Sequence, residues 1–178
     1  MPGIVGIIRA RLREDDAPVL ERMVQRTKHE PFFEFGAFAS EPMGLRLGWT
    51  FHPGTFAACL PVWNERRDVC LCFTGEHFAE HEAEIATLRA KGHECAAPDA
   101  SYLVHLYEEK GLDAFLNHLN GWFSGVLLDL CEGRLVLFND RYGLKRVYYH
   151  EASDGFYFAS EAKSLLAALP KLRQLDAA

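Results

Sequence analysis

The chain carries no excess of basic charge. Its formal net charge is −6, and Arg9, Arg11 and Arg13 are followed at once by Asp15 and Asp16. No positive strip is therefore present to follow a phosphate backbone or an anionic bilayer. No apolar run approaches the ~20 residues that a membrane helix needs. The short run Gly3 to Ile8 is also too brief for the apolar core of a secretory leader. The five cysteines include no CxxC pair. An odd, irregularly spaced set argues against both a disulfide framework and a cysteine-built zinc site. Linkers, low-complexity tracts and internal repeats are missing as well. These absences predict one cytoplasmic, soluble domain with reduced thiols, having neither nucleic acid nor membrane among its partners.

Apolar residues make up 49% of the 178, enough for a sizeable core. Gly3 to Ile8 reads as a buried first strand. Asp15, Asp16 and Pro18 open a helix whose apolar stripe is Val19, Leu20, Met23, Val24 and Thr27. Lys28 to Pro42 reads as irregular, and Met43 to Phe51 as a strand. Val69 to Phe73 is a strand that Gly75 should stop, with Cys70 and Cys72 alternating onto one buried face. Helices are expected over Phe78 to Ala90, Ser101 to Lys110 and on to His118. Trp122–Leu130 with Arg134–Asn139, and Arg146–His150 with Gly155–Ser160, have the form of two hairpins. Glu161 to Leu169 closes with a helix that Pro170 ends. The fold class is α+β, with largely antiparallel sheets covered by helices.

Six segments, in order, resemble the N-terminal glutamine amidotransferase domain of the asparagine synthetase family. They are Met1-Pro-Gly-Ile-Val-Gly-Ile7, Thr74-Gly-Glu-His-Phe78, Asp99-Ala-Ser-Tyr-Leu-Val-His-Leu-Tyr107 with Gly111, Asn120-Gly-Trp-Phe123, Asn139-Asp-Arg-Tyr-Gly-Leu-Lys145 with Tyr148-Tyr149, and Phe158-Ala-Ser-Glu-Ala-Lys-Ser-Leu-Leu166; Gly44-Leu-Arg-Leu47 adds a shorter match. The resemblance implies an Ntn-hydrolase αββα sandwich, two largely antiparallel sheets between helices. It implies a type 2 amidotransferase-like domain over 1–170, with 171–178 as a tail or the start of a linker to a synthetase domain.

In such enzymes the initiator Met is removed, and the exposed cysteine attacks the glutamine side-chain amide with its own amine as base. The resemblance assigns that position to Pro2, which has no thiol. It assigns the oxyanion-hole asparagine to Thr74 and the backbone donor beside it to Gly75. Arg46 takes the place of the arginine that holds the substrate carboxylate, and Glu76 and Asp99 face its ammonium group. The implied protein is a pseudo-glutaminase. Its partner is an amide-forming synthetase domain, in cis or in trans, with glutamine or a similar amino acid as a further ligand. ATP and Mg²⁺ belong to the synthetase domain, so no cofactor is expected here, and a homodimer is compatible with the reading.

Other readings stand beside this one. Arg46 fits a structural ion pair, Asp99 a helix cap, and Glu76 a solvated charge. The amine of Pro2 leaves open a working amidotransferase of altered mechanism. His77-Phe-Ala-Glu80-His81 has the H-x-x-E-H pattern of a zinc peptidase, with imidazoles at i and i+4. That pattern lacks a third ligand motif, so the expectation is that no zinc is bound.

Overall fold

The computed structural model describes residues 2–95 and 99–174. Met1 and the end of the expected tail lie outside them. In chain order the elements are β1 (Gly3–Ile8), α1 (Asp16–Thr27), β2 (Glu34–Ser40), β3 (Leu45–Phe51), β4 (Val62–Trp63), β5 (Val69–His77), α2 (His81–Ala90), α3 (Tyr102–Lys110), α4 (Leu112–His118), β6 (Gly121–Asp129), β7 (Arg134–Asn139), β8 (Tyr148–Ala152), β9 (Gly155–Ala159) and α5 (Ala162–Ala168). They fall into two compact units, Met1–Thr50 with Arg146–Ala178, and Phe51–Lys145.

The first unit holds a sheet of order β2-β3-β1-β9-β8. Strand β1 lies between β3 and β9, antiparallel to both. Val5 and Ile7, two apart and so on one face, pack with Leu20, Met23 and Val24 of α1 and Leu165 of α5. Leu20, Met23, Val24 and Thr27 form the buried stripe of α1 at helical spacing. Gly6 leaves room for the Phe158 ring; a Cβ there would meet its Cζ at 2.2 Å.

The second unit holds a sheet of order β4-β5-β6-β7, antiparallel throughout. Its core is more aromatic. Phe73, Tyr102 and Phe115 are each fully buried, and the Phe73 and Phe123 rings stack 5.3 Å apart. Helix α3 is buried from Tyr102 through Tyr107, so nearly every face of its first two turns meets other atoms.

The two-sheet α+β class matches the expectation from sequence, and four elements differ in detail. Residues 34–40, expected to be irregular, form β2 at the sheet edge, where half-exposed side chains blur the alternation. Strand β4 is too short to leave a pattern. Gly75 does not stop β5, which runs on to His77. Its φ is +117°, and a Cβ there would lie 1.9 Å from the Trp122 carbonyl oxygen. The glycine permits close approach of β6 rather than a turn. Helix α2 consequently starts at His81, not Phe78.

Candidate functional site

Pro2 immediately precedes β1, and the Gly3 amide donates to Thr50 Oγ1 at 3.2 Å. Gly3 pairs with Thr50, whereas Arg46 pairs with Ile7. Arg46 is therefore four residues along β3 from the head of the strand pair, roughly 13 Å at ~3.3 Å per residue. It lines a groove with Ala17, Leu20, Glu21, Val24 and Phe35, and its buried Nε has no hydrogen-bond partner. The register thus separates Arg46 from Pro2. The side chain that does stand at the amino-terminal head is Thr50, which sequence reading passed over because threonine in a strand carries no signal of its own.

Thr74, Gly75, Glu76 and Asp99 belong to the second unit. Thr74 is fully buried, and its hydroxyl is 3.1 Å from Ser124 Oγ and 3.4 Å from the Ser124 carbonyl. Its hydrogen-bonding capacity is engaged by β6. Glu76 is exposed. Burial lowers the Lys145 pKa, and the Asp140 and Glu76 charges act against that effect. Glu76 therefore has a cationic neighbour within its own unit. Asp99 Oδ1 accepts from the Ser101 amide at 2.9 Å, a local turn bond just ahead of α3, whose N-cap is Ser101 rather than Asp99. Asp140 is buried and accepts from the amides of Tyr142, Leu144 and Lys145 at 3.1, 2.9 and 2.7 Å. Burial works against its charge, yet these amides hold its carboxyl below the usual range.

The H-x-x-E-H reading is corrected by the structure. His77 ends a strand and His81 begins a helix, so the two imidazoles do not share a helix face. His81 Nε2 is taken up by the His77 carbonyl at 2.8 Å. His77 instead faces Glu84, with Nε2 3.9 Å from Oε2, and Glu84 binds His118 through its other oxygen. His77 Nε2, Glu84 Oε2 and the Tyr102 hydroxyl are buried without a hydrogen bond of good geometry, although burial and then the nearby Glu84 carboxylate raise the Tyr102 pKa. Burial lowers the His77 pKa, favouring the neutral imidazole.

The model of a family described as a glutamine amidotransferase domain matches residues 56–167. The chain belongs to that family. Asparagine synthetase [glutamine-hydrolyzing] 2 of Bacillus subtilis is 33% identical over 109 residues, 60% of this chain but 14% of the relative. The enzyme of the same name from Oryza sativa subsp. japonica is 34% identical over 106 residues, 59% of this chain and 17% of the relative. The amidase chyE of Penicillium rubens is 31% identical over 107 residues, covering 60% and 16%. The match thus spans less than a fifth of these relatives' length. In fold, the chain resembles glutamine phosphoribosylpyrophosphate amidotransferase from B. subtilis, with a TM-score of 0.72 at 14% identity over 93% of this chain and 43% of that one.

None of the five thiols in this glutamine amidotransferase domain has the character of an activated nucleophile. Burial, with the Asp99 charge adding to it, pushes Cys59 up to about 12. Burial also pushes Cys70 up to about 12 and Cys72 well above its usual value. Cys95 is raised by burial and by the Glu65 charge. Cys131 is raised by its hydrogen bond to Asp68. Thiolate is the reactive form, and every shift here is away from it.

Proposed function

We propose that this is a glutamine amidotransferase domain without glutaminase chemistry, one that serves an ATP-dependent, amide-forming synthetase domain in the same polypeptide or in a partner. The carrying observation is Pro2 at the head of β1. Family resemblance puts the nucleophilic cysteine there, and proline supplies neither thiol nor primary amine. No other cysteine takes over, because all five thiols are shifted away from thiolate. A partner is supported by exposed apolar surface in the second unit. Phe78 and Trp122, each about half exposed, pack edge to face at 5.5 Å, and Tyr142 and Leu144 are more exposed still.

The test is glutamate release from glutamine by wild type, Pro2→Cys, Thr74→Asn and the double variant. Wild type and Thr74→Asn are expected to be inactive, since an oxyanion donor cannot assist a missing nucleophile. Pro2→Cys restores both thiol and amine but leaves Thr74 bonded to Ser124. The double variant is expected to exceed it by about 10²–10³ in kcat, the usual value of one such donor. Turnover by wild type at family rates would overturn the reading. Residual recognition of an amino acid by Arg46, Glu76 and Asp99 is tested separately by NMR titration with millimolar glutamine. No response, or a response unchanged in Arg46→Ala, removes Arg46 from any clamp.

A further inference from the structure

A second cluster of histidines and carboxylates lies in the unit Phe51–Lys145, apart from Pro2, Arg46, Thr74, Glu76 and Asp99. Helix α3 places His105 and Glu108 one turn apart on one face, with His105 Nδ1 3.0 Å from Glu108 Oε2. Glu65 comes from the loop between β4 and β5, and His93 from the segment after α2. His93 Nδ1 is 3.7 Å from Glu65 Oε1 and 3.8 Å from Glu108 Oε2, and His105 Nδ1 is 3.5 Å from Glu65 Oε2. One ligand-type atom from each of the four residues lies within 4.8 Å of the others.

These distances distinguish an ion site from a hydrogen-bonded network. Only the His105–Glu108 contact is a hydrogen bond; the other three exceed the 2.7–3.2 Å of a good one. They lie near the edge lengths of a tetrahedral site, with Glu65 reaching toward His93 through Oε1 and toward His105 through Oε2. Metal–ligand bonds of 2.0–2.2 Å make those edges about 3.4 Å. The two rings lie 4.7 Å apart, centroid to centroid, so two imidazolium charges would repel at close range. Two neutral imidazoles and two carboxylates instead match the charge of one divalent ion.

The outer layer has the form that metal ligands require. The other nitrogen of His93 lies 3.1 Å from Glu109 Oε1, and Lys91 binds the second oxygen of Glu109. The other oxygen of Glu108 accepts from Asn64 Nδ2 at 2.8 Å. Glu65 accepts from the Glu94 amide at 2.8 Å. The side chains of His105, Glu108 and His93 are 4%, 13% and 14% exposed, and Glu65, at 34%, forms the solvent side of the cluster.

We infer that Glu65, His93, His105 and Glu108 bind one Zn²⁺, a closed four-ligand site that fastens the β4–β5 loop and the segment after α2 onto α3. The ligand set suits zinc, for which imidazole and carboxylate are ordinary donors. Four protein ligands leave no open position for catalysis, so the role is structural. This inference is independent of the glutaminase reading, and it reverses the expectation that no zinc is bound.

The test uses the full chain, free of affinity tags and stripped with a chelator. It combines Zn²⁺ titration by calorimetry, elemental analysis after dialysis, and thermal unfolding with and without Zn²⁺. One zinc per chain and a rise in Tm are expected. The double variant Glu65→Gln/His93→Gln alters the two ligands nearest solvent and should fold but lose both effects. Glu109→Ala, which removes the acceptor of the outer nitrogen of His93, should weaken affinity by about 10–100-fold. Co²⁺ should give the intense visible bands of a tetrahedral site. The control Glu84→Gln, in the other histidine cluster, should bind as wild type does. The inference is overturned by no binding at micromolar protein, by unchanged binding in the double variant, by loss in Glu84→Gln alone, or by pale six-coordinate Co²⁺.

Discussion

Two charge networks, one in each unit, are built in opposite ways. In the first, Arg9 is enclosed by partners. Its Nε donates to Asp16 Oδ1 at 2.7 Å and its Nη2 to the Tyr157 hydroxyl at 2.6 Å, and Nη1 meets Asp154. Asp16, fully buried, uses its other oxygen for the Arg13 amide at 2.7 Å. In the second unit, Glu65, His93, His105 and Glu108 converge with only the His105–Glu108 contact short enough for a hydrogen bond, and His77 and Glu84 each leave a buried atom unpaired. A closed network has met its own electrostatic demand and reads as architecture. An open one has capacity left for something that the chain does not supply.

Breaking the closed network should give the largest effect. Arg9→Ala leaves Asp16 charged, buried and deprived of its partner, which typically costs about 3–5 kcal/mol. Urea unfolding should show that loss, and Zn²⁺ should not restore it. If Arg9→Ala is nearly neutral, the contrast between the networks fails.

Asp140 tests whether closure, rather than membership of a unit, is the deciding property. It lies in the second unit but is satisfied by three backbone amides. Asp140→Asn is expected to cost about 1–3 kcal/mol at neutral pH. Its carboxyl is held below the usual range when folded. Its stabilising contribution is therefore full above the unfolded value of about 3.9 and fades as pH falls through the lower folded value. The gap between wild type and Asp140→Asn should accordingly narrow as unfolding is measured at successively lower pH below about 4. A gap that widens there would contradict the assignment.

The smallest effect is expected in the open cluster. Glu84→Gln keeps the oxygen that faces His118 and replaces the unpaired one with an amide beside neutral His77. Its stability should stay within about 1 kcal/mol of wild type. A loss as large as that of Arg9→Ala would show that Glu84 is as fully engaged as Asp16.

Much of this arrangement was legible in the chain itself. The spacing of Leu20, Met23, Val24 and Thr27 marks the buried face of α1, because helical period is a local property. The two hairpins are marked by Gly133 and Gly155, and Pro2 stands where the resemblance expects a nucleophile. Edge strand β2 was not legible, since an exposed edge needs no strict alternation. Gly75 misled for a related reason. A glycine needed for close approach is written with the same letter as one that ends a strand, and only the carbonyl of Trp122 tells them apart.

Sequence alone determined the types of the well-patterned elements and the absence of a thiol at position 2, because both depend on residues near one another in the chain. Tertiary structure decided which side chains meet. It put Arg46 opposite Ile7 rather than Gly3, through a strand register set by long-range pairing. It took His77 and His81 off a common helix face by placing one residue on a strand and the other on a helix. It brought Glu65 and His93 to His105 and Glu108, although only the last two are close enough in sequence to share a helical turn. Local spacing fixes which way a side chain points from its own element; what it points at depends on how distant segments pack to bury their apolar faces.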